Sequence, residues 1–176
     1  MFMYCVIDTE RIKGNLIYLL SYQLYDDTYN LIDNKTFQDV SIDLSNRKSS
    51  KVKTKQLNQC SIKVNGYVEL YESIRSVIEN NLVVIFSKTD VHIFKSNCKE
   101  YGIQYNKLKC IDMQSLLKDR INHFNGKSNF KDFCKKSKIK HEPHIPESDC
   151  FATFCLFQNL VDEIGLNSIL LKIEEC

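Results

Sequence analysis

Five residues of this chain have the types and spacing from which a hydrolytic metal centre can be built. They are Asp8 and Glu10 in Tyr4-Cys5-Val6-Ile7-Asp8-Thr9-Glu10, Asp90 in Phe86-Ser87-Lys88-Thr89-Asp90, and His144 with Asp149 in His144-Ile145-Pro146-Glu147-Ser148-Asp149. Four carboxylates supply hard oxygen ligands, which suit Mg2+ or Mn2+. Two such ions can clamp the attacking and leaving oxygens of a displacement at phosphorus, and a histidine with an ordinary pKa near 6.5 can take a proton from water at neutral pH. Together these groups can hydrolyse a phosphodiester. The spacings alone are weak signals. With 22 acidic residues in 176, an acid-x-acid triplet arises by chance roughly two or three times, and a His-x4-Asp about 0.3 times. Their weight depends on the elements that carry them.

Those elements have a readable order. Phe2 to Ile7 is almost continuously apolar, as a buried central strand is, and Leu16 to Tyr25 and Leu31 to Val40 follow as strands, separated by turn chemistry at Asp26-Asp27 and Asn30. Three antiparallel strands are expected here. Residues i and i+2 of a strand share a face, so Asp8 and Glu10 point the same way. Asp43 to Asn65 is polar and basic, after which Tyr67, Leu70, Ile74, Val77 and Ile78 recur at helical spacing. Leu82 to Phe86 predicts a fourth strand, and Val91, Phe94, Cys98 and Tyr101 the helix behind it, with Asp90 near its start. Lys109 to Ile111 predicts a fifth strand, followed by helices over Met113 to Ile121 and near Phe130 to Lys136. A final helix begins at Pro146, which suits the first helical position, and carries Phe151, Phe154, Cys155, Val161 and Ile164, with Asp149 in its first turn. The expected fold class is α/β, a central mixed five-stranded sheet flanked by helices.

At 176 residues the chain is long enough to bury a core as one domain, expected to span 1–176. A net charge of +2 selects no partner. No run approaches the ~18 apolar residues of a membrane span, and the N-terminal run lacks the basic region and cleavage site of a leader, so no membrane partner and a cytoplasmic location are expected. The eight cysteines form no Cys-x-x-Cys pair. They are expected to be buried free thiols, not disulfides or zinc ligands.

In order and context, the motifs resemble those of the DEDDh, or DnaQ-like, 3′–5′ exonucleases of the ribonuclease H-like superfamily. The match runs from Asp8-Thr9-Glu10 through Asp90 and Ile111-Asp112-Met113-Gln114 to His144 and Asp149, nearly the whole chain. The resemblance implies a ribonuclease H-like fold and a two-metal exonuclease that releases nucleoside 5′-monophosphates from single-stranded 3′ ends, DNA favoured slightly over RNA. It implies Asp8, Glu10, Asp90 and Asp149 as ligands of two Mg2+ or Mn2+ ions. Asp8 would bridge the ions, Glu10 and Asp149 would complete the water side, and Asp90 would help hold the other. His144 would be the general base, and Thr9, Arg11 and Lys88, beside the motif acids, would contact nucleic acid.

The chain departs from the family in three places. Arg11-Ile12-Lys13-Gly14 stands where many members carry Thr-Thr-Gly, the second motif lacks a His-Asn found in some relatives, and Pro146 replaces an alanine between the histidine and the last aspartate. No ligand is lost. Two basic stretches suit either a polyanion or, on composition alone, a solvated lysine-rich surface: Arg47, Lys48, Lys51, Lys53 and Lys55, and then Lys127, Lys131, Lys135, Lys136, Lys138 and Lys140. From the second, Lys135 and Lys136 are expected on nucleic acid. Tyr101, Tyr105, Phe124 and Phe130 are candidates for base stacking, although such aromatics are more often core. His92, His123 and His141 have no partner pattern and are expected to be structural. The alternative to an exonuclease is a weak or inactive nucleic-acid-binding or accessory subunit of a polymerase or end-processing complex.

Overall fold

The computed structural model describes residues 3–12, 16–44, 62–120 and 129–176, without the side chains of 119 and 120. Arg47, Lys48, Lys51, Lys53, Lys55, His123, Phe124 and Lys127 lie outside the described residues, as do Lys13 and Gly14.

A mixed sheet carries the site. Strands β1 (Tyr4–Arg11), β2 (Ile17–Tyr25) and β3 (Leu31–Asp39) form the expected antiparallel meander, while β5 (Leu82–Ile85) and β6 (Lys109–Asp112) run parallel beside β1. Two short strands complete the order β4-β3-β2-β1-β5-β6-β7: β4 (Ile62–Val64), parallel to β3, and β7 (Glu174–Glu175), antiparallel to β6. The sheet therefore has seven strands among the described residues, not five. Neither addition is long enough to show a period of two, and Glu174-Glu175 joins the ladder through backbone groups without an apolar side chain to announce it.

Helices cover both faces. The odd residues Cys5 and Ile7 of β1 pack with α1 (Tyr67–Asn80) and α2 (Lys88–Glu100). The even residues Tyr4 and Val6 pack with α3 (Met113–Arg120), α4 (Phe130–Lys136), α5 (Pro146–Ile164) and α6 (Leu166–Leu170). The period of two then dictates that Asp8 and Glu10 continue the face that carries α5. The buried stripe of α5 runs through Cys150, Phe154, Phe157 and Leu160, while Phe151 is half exposed. An apolar type at helical spacing is not enough to place Phe151 inward, because α5 turns toward the sheet on the neighbouring stripe.

β1 is longer than its apolar run. It extends to Arg11, pairing Asp8 with Ser21 and Glu10 with Leu19 on β2, whereas β5 accompanies it only from Tyr4 to Val6. Its last residues therefore overhang β5, and the chain leaving β5 turns through Phe86-Ser87 into α2 beside that open edge. A register shift between Glu10 and Arg11 ends the regular pairing at the point where the acidic side chains emerge, a common use of a bulge beside a site.

Candidate metal centre

The two acids of β1 meet a third from α5. One carboxylate oxygen from each of Asp8, Glu10 and Asp149 lies within 4.8 Å of the others. Opposite ligands around Mg2+, with bonds of 2.0–2.1 Å, are ~4 Å apart, so this spacing closes on a cation with small side-chain motions. The first turn of α5 is anchored to β2 and β3 by polar residues on the same sheet face. Gln23 Nε2 donates to the Glu147 carbonyl at 3.1 Å and Asn34 Nδ2 to the Glu147 carboxylate at 2.7 Å. Tyr25 Oη in turn donates to Gln23 Oε1 at 2.7 Å, fixing the amide. Beneath the acids, the buried Cys150 places Sγ 3.7 Å from the Val6 carbonyl and 3.5 Å from the Ser21 carbonyl. Its thiol is kept protonated by burial and by the nearby acids.

Asp90 approaches from the opposite face, in the first turn of α2, which Ser87 caps by accepting the Thr89 N–H. Its Oδ1 accepts the Thr9 hydroxyl at 2.7 Å. Thr9 lies between Asp8 and Glu10 and points to the α2 side, so one strand sends two acids to one face and a clamp for the fourth acid to the other. Asp90 is outside the three-acid group and beside it.

Crowding shows in the proton affinities. Burial, then the charges of Asp90, Asp149 and Glu10, raise Asp8 well above the usual carboxylate range. Burial pushes Asp149 up to about 7, with Glu10 and Asp90 adding to it and the His144 N–H opposing it. Asp90 is pushed up to about 6 by burial, against the opposing Thr9 hydrogen bond and Arg11 charge. A pocket that makes several carboxylates resist ionisation is one that a divalent cation would stabilise, so the donor set fits the expected ion.

His144 stands at the mouth. Its Nδ1 is 3.4 Å from Glu10 Oε1, its side chain is 69% exposed, and its φ is 63°. A non-glycine residue there costs ~1–3 kcal/mol. The compensating contact is Asp149 Oδ2, which accepts the His144 backbone N–H at 3.0 Å. The preceding turn is also tied to α5, because Ser148 Oγ accepts the Glu142 N–H at 2.8 Å.

The other candidates are placed less centrally. Arg11 is exposed and near enough to Asp90 to lower its proton affinity. Lys88 is turned to the far sheet edge, where its ammonium pairs with Glu174 of β7. Lys135 and Lys136 are exposed in the last turn of α4, and Lys136 lines a groove with Asn159 and Glu163. Asn159 lies ten residues beyond Asp149, or ~15 Å along the α5 axis. Among the aromatic candidates, Tyr101 stacks on Tyr67, Tyr105 donates to the Cys176 carbonyl, and Phe130 packs edge-on against Phe86.

Sequence spacing passes over His141. Its side chain is only 6% exposed and its Nε2 lies 3.6 Å from Asp149 Oδ1. Burial, then His144 and Lys131, lower its proton affinity. No periodicity relates residues 141 and 149, which belong to an irregular loop and a helix. Gln23 and Asn34 did leave a trace, as polar residues on otherwise strand-forming runs. The free-thiol expectation holds in part: Cys5, Cys98, Cys110, Cys134 and Cys150 are buried and free, Cys155 and Cys176 are free but only partly buried, and Cys60 lies outside the described residues. Among the described residues, no helix is long and apolar enough to cross a membrane.

The sequence matches no protein-family model, and no curated protein matches it. Among solved structures, the chain is similar to E. coli exonuclease I in complex with a dT13 oligonucleotide, with a TM-score of 0.61 and 12% identity. The match covers 92% of this chain and 41% of that one, so this chain spans about two-fifths of the neighbour's length. The seven-stranded mixed sheet with helices on both faces is thus the ribonuclease H-like α/β fold.

Proposed function

We propose that this protein is a metal-dependent 3′–5′ exonuclease of the DEDDh kind, hydrolysing single-stranded DNA in preference to RNA and releasing nucleoside 5′-monophosphates. The observation that carries this proposal is the convergence of Asp8, Glu10 and Asp149 within 4.8 Å, with His144 Nδ1 3.4 Å from Glu10. A ribonuclease H-like fold and a neighbour seen with a dT13 oligonucleotide support it.

Asp8, Glu10, Asp90 and Asp149 would hold two Mg2+ or Mn2+ ions, which when bound supply Lewis-acid activation of water and stabilisation of the leaving oxygen. Asp8, whose proton affinity is raised by burial and by all three other acids, would hold a cation together with Glu10 and Asp149. Asp90, steered by the Thr9 hydroxyl, serves the side next to α2. His144 accepts the proton of the attacking water at its imidazole, and its exposure lets that proton pass to solvent. Asp149 thus has two tasks, as a ligand and as the acceptor that sets the His144 backbone. Arg11, exposed at the end of β1, would contact the terminal nucleotide, standing where many DEDDh members carry Thr-Thr-Gly. Lys135 and Lys136 would neutralise phosphates farther along the strand.

Polarity and product test this proposal. With 5′-labelled single-stranded DNA and Mn2+, a ladder shortening from the 3′ end is expected, with 5′-mononucleotides as the released species. Internal cuts, or labelled mononucleotide released first from a 5′ end, would refute it.

A further inference from the structure

Two buried polar atoms of the described residues that find no hydrogen-bond partner, His141 Nε2 and Asp149 Oδ1, face each other at 3.6 Å. A buried unsatisfied donor or acceptor costs ~1–3 kcal/mol, so a matched pair short of contact is poised to close. The His141 imidazole is also held by a ring contact. Its edge packs on Phe130, with ring centroids 5.1 Å apart at 69°, and Phe130 is itself braced by Phe86. The other end of the same carboxylate is already fixed, since Oδ2 accepts the His144 N–H. Each carboxylate oxygen has two lone-pair sites, so a donor on Oδ1 and another on Oδ2 leave capacity for a cation.

We propose that His141 is a positioning residue for Asp149: its Nε2–H donates to Oδ1 when the carboxylate engages a divalent cation, fixing the orientation that presents Asp149 to Asp8 and Glu10. This rests on the metal-centre proposal above. Partners of this kind orient metal ligands, and their loss typically weakens metal affinity ~10–100-fold. His141 touches no reacting atom in this arrangement. It is distinct from His144, whose exposed ring approaches Glu10.

The test measures Mn2+ binding to the full chain by calorimetry and by the electron paramagnetic resonance signal of free Mn2+. His141→Phe keeps a ring against Phe130 and removes the donor; His141→Gln keeps an N–H near the Nε2 position. The expected result is a Kd for Mn2+ raised roughly 10–100-fold in His141→Phe and largely restored in His141→Gln. A purely structural role predicts equal Kd values in the folded variants, and that result overturns the proposal. In case the phenylalanine variant does not fold, wild-type protein with 15N-labelled histidine provides a second measurement. Mg2+ should shift the His141 Nε2 resonance toward a hydrogen-bonded donor, and an unmoved resonance at saturating Mg2+ refutes the role. If wild-type protein binds no Mn2+, the metal centre and the positioning role fall together. If wild type binds Mn2+, Asp8→Asn abolishes that binding and His141→Phe retains wild-type affinity, the positioning role alone falls.

Discussion

The crowded acids make the metal-free protein less stable as pH rises, and Asp149→Asn should remove much of that penalty. Asp149 titrates at about 7 in the folded chain, against an ordinary value of 3.8. Folding therefore holds a proton between those values that the unfolded chain has released, so stability falls as pH climbs from ~4 to ~7 and stays reduced above. At 1.36 kcal/mol for each tenfold change in proton affinity, the full penalty is about 4 kcal/mol. Asp8 and Asp90 also resist ionisation, and relief at one acid lets its neighbours ionise, so the gain from Asp149→Asn above pH 7 is about 2–4 kcal/mol. The amide keeps an oxygen for the His144 N–H. In a protein of this size the gain corresponds to a Tm rise of roughly 5–15 °C. Thermal unfolding followed by far-ultraviolet circular dichroism in EDTA, from pH 5 to pH 8, reads it directly. Wild type should lose Tm across this range and the variant should lose markedly less. Mn2+ at pH 8 should restore wild type, by ~2.7 kcal/mol at a hundredfold excess over Kd, and leave the variant little changed. A wild-type Tm that is flat with pH in EDTA, together with a destabilised Asp149→Asn, would refute the crowding.

Three further perturbations follow from the geometry. His144→Ala should lower kcat roughly 10²–10⁴-fold while Mn2+ binding persists, measured by single-turnover cleavage and calorimetry; unchanged turnover would remove it as the base. Thr9→Val deletes the hydroxyl that Asp90 Oδ1 accepts at 2.7 Å, so activity should fall ~10–100-fold with about 1 kcal/mol or less lost in stability, checked by turnover against Tm. Lys135→Glu with Lys136→Glu should weaken single-strand binding most at low salt and flatten its salt dependence by ~1.4 in log–log slope if both meet phosphates, as anisotropy titrations would show.

Much of the fold was legible because its main elements are long enough to show a period. The meander, the strand at Leu82, and α5 with Pro146 at its first position all stand close to where the sequence puts them. β4 and β7 left no pattern, being two or three residues held by backbone pairing. The side-chain direction of Asp8 and Glu10 followed from strand alternation, and the meeting with Asp149 from motif order. The division of labour across the sheet was not legible. That Thr9 reaches Asp90 depends on β1 overhanging β5, and that His141 lies beside Asp149 depends on how the turn before α5 folds back. The pairing of Lys88 with Glu174 was equally hidden, since the partner joins from 86 residues away.

The most direct measurement is cleavage of 5′-labelled single-stranded DNA by wild type and Asp8→Asn, each with Mn2+ and with EDTA. The account predicts 3′-end shortening by wild type with Mn2+ alone, and no shortening by a folded Asp8→Asn under either condition. Cleavage that persists in EDTA, or that Asp8→Asn performs at the wild-type rate, would contradict it.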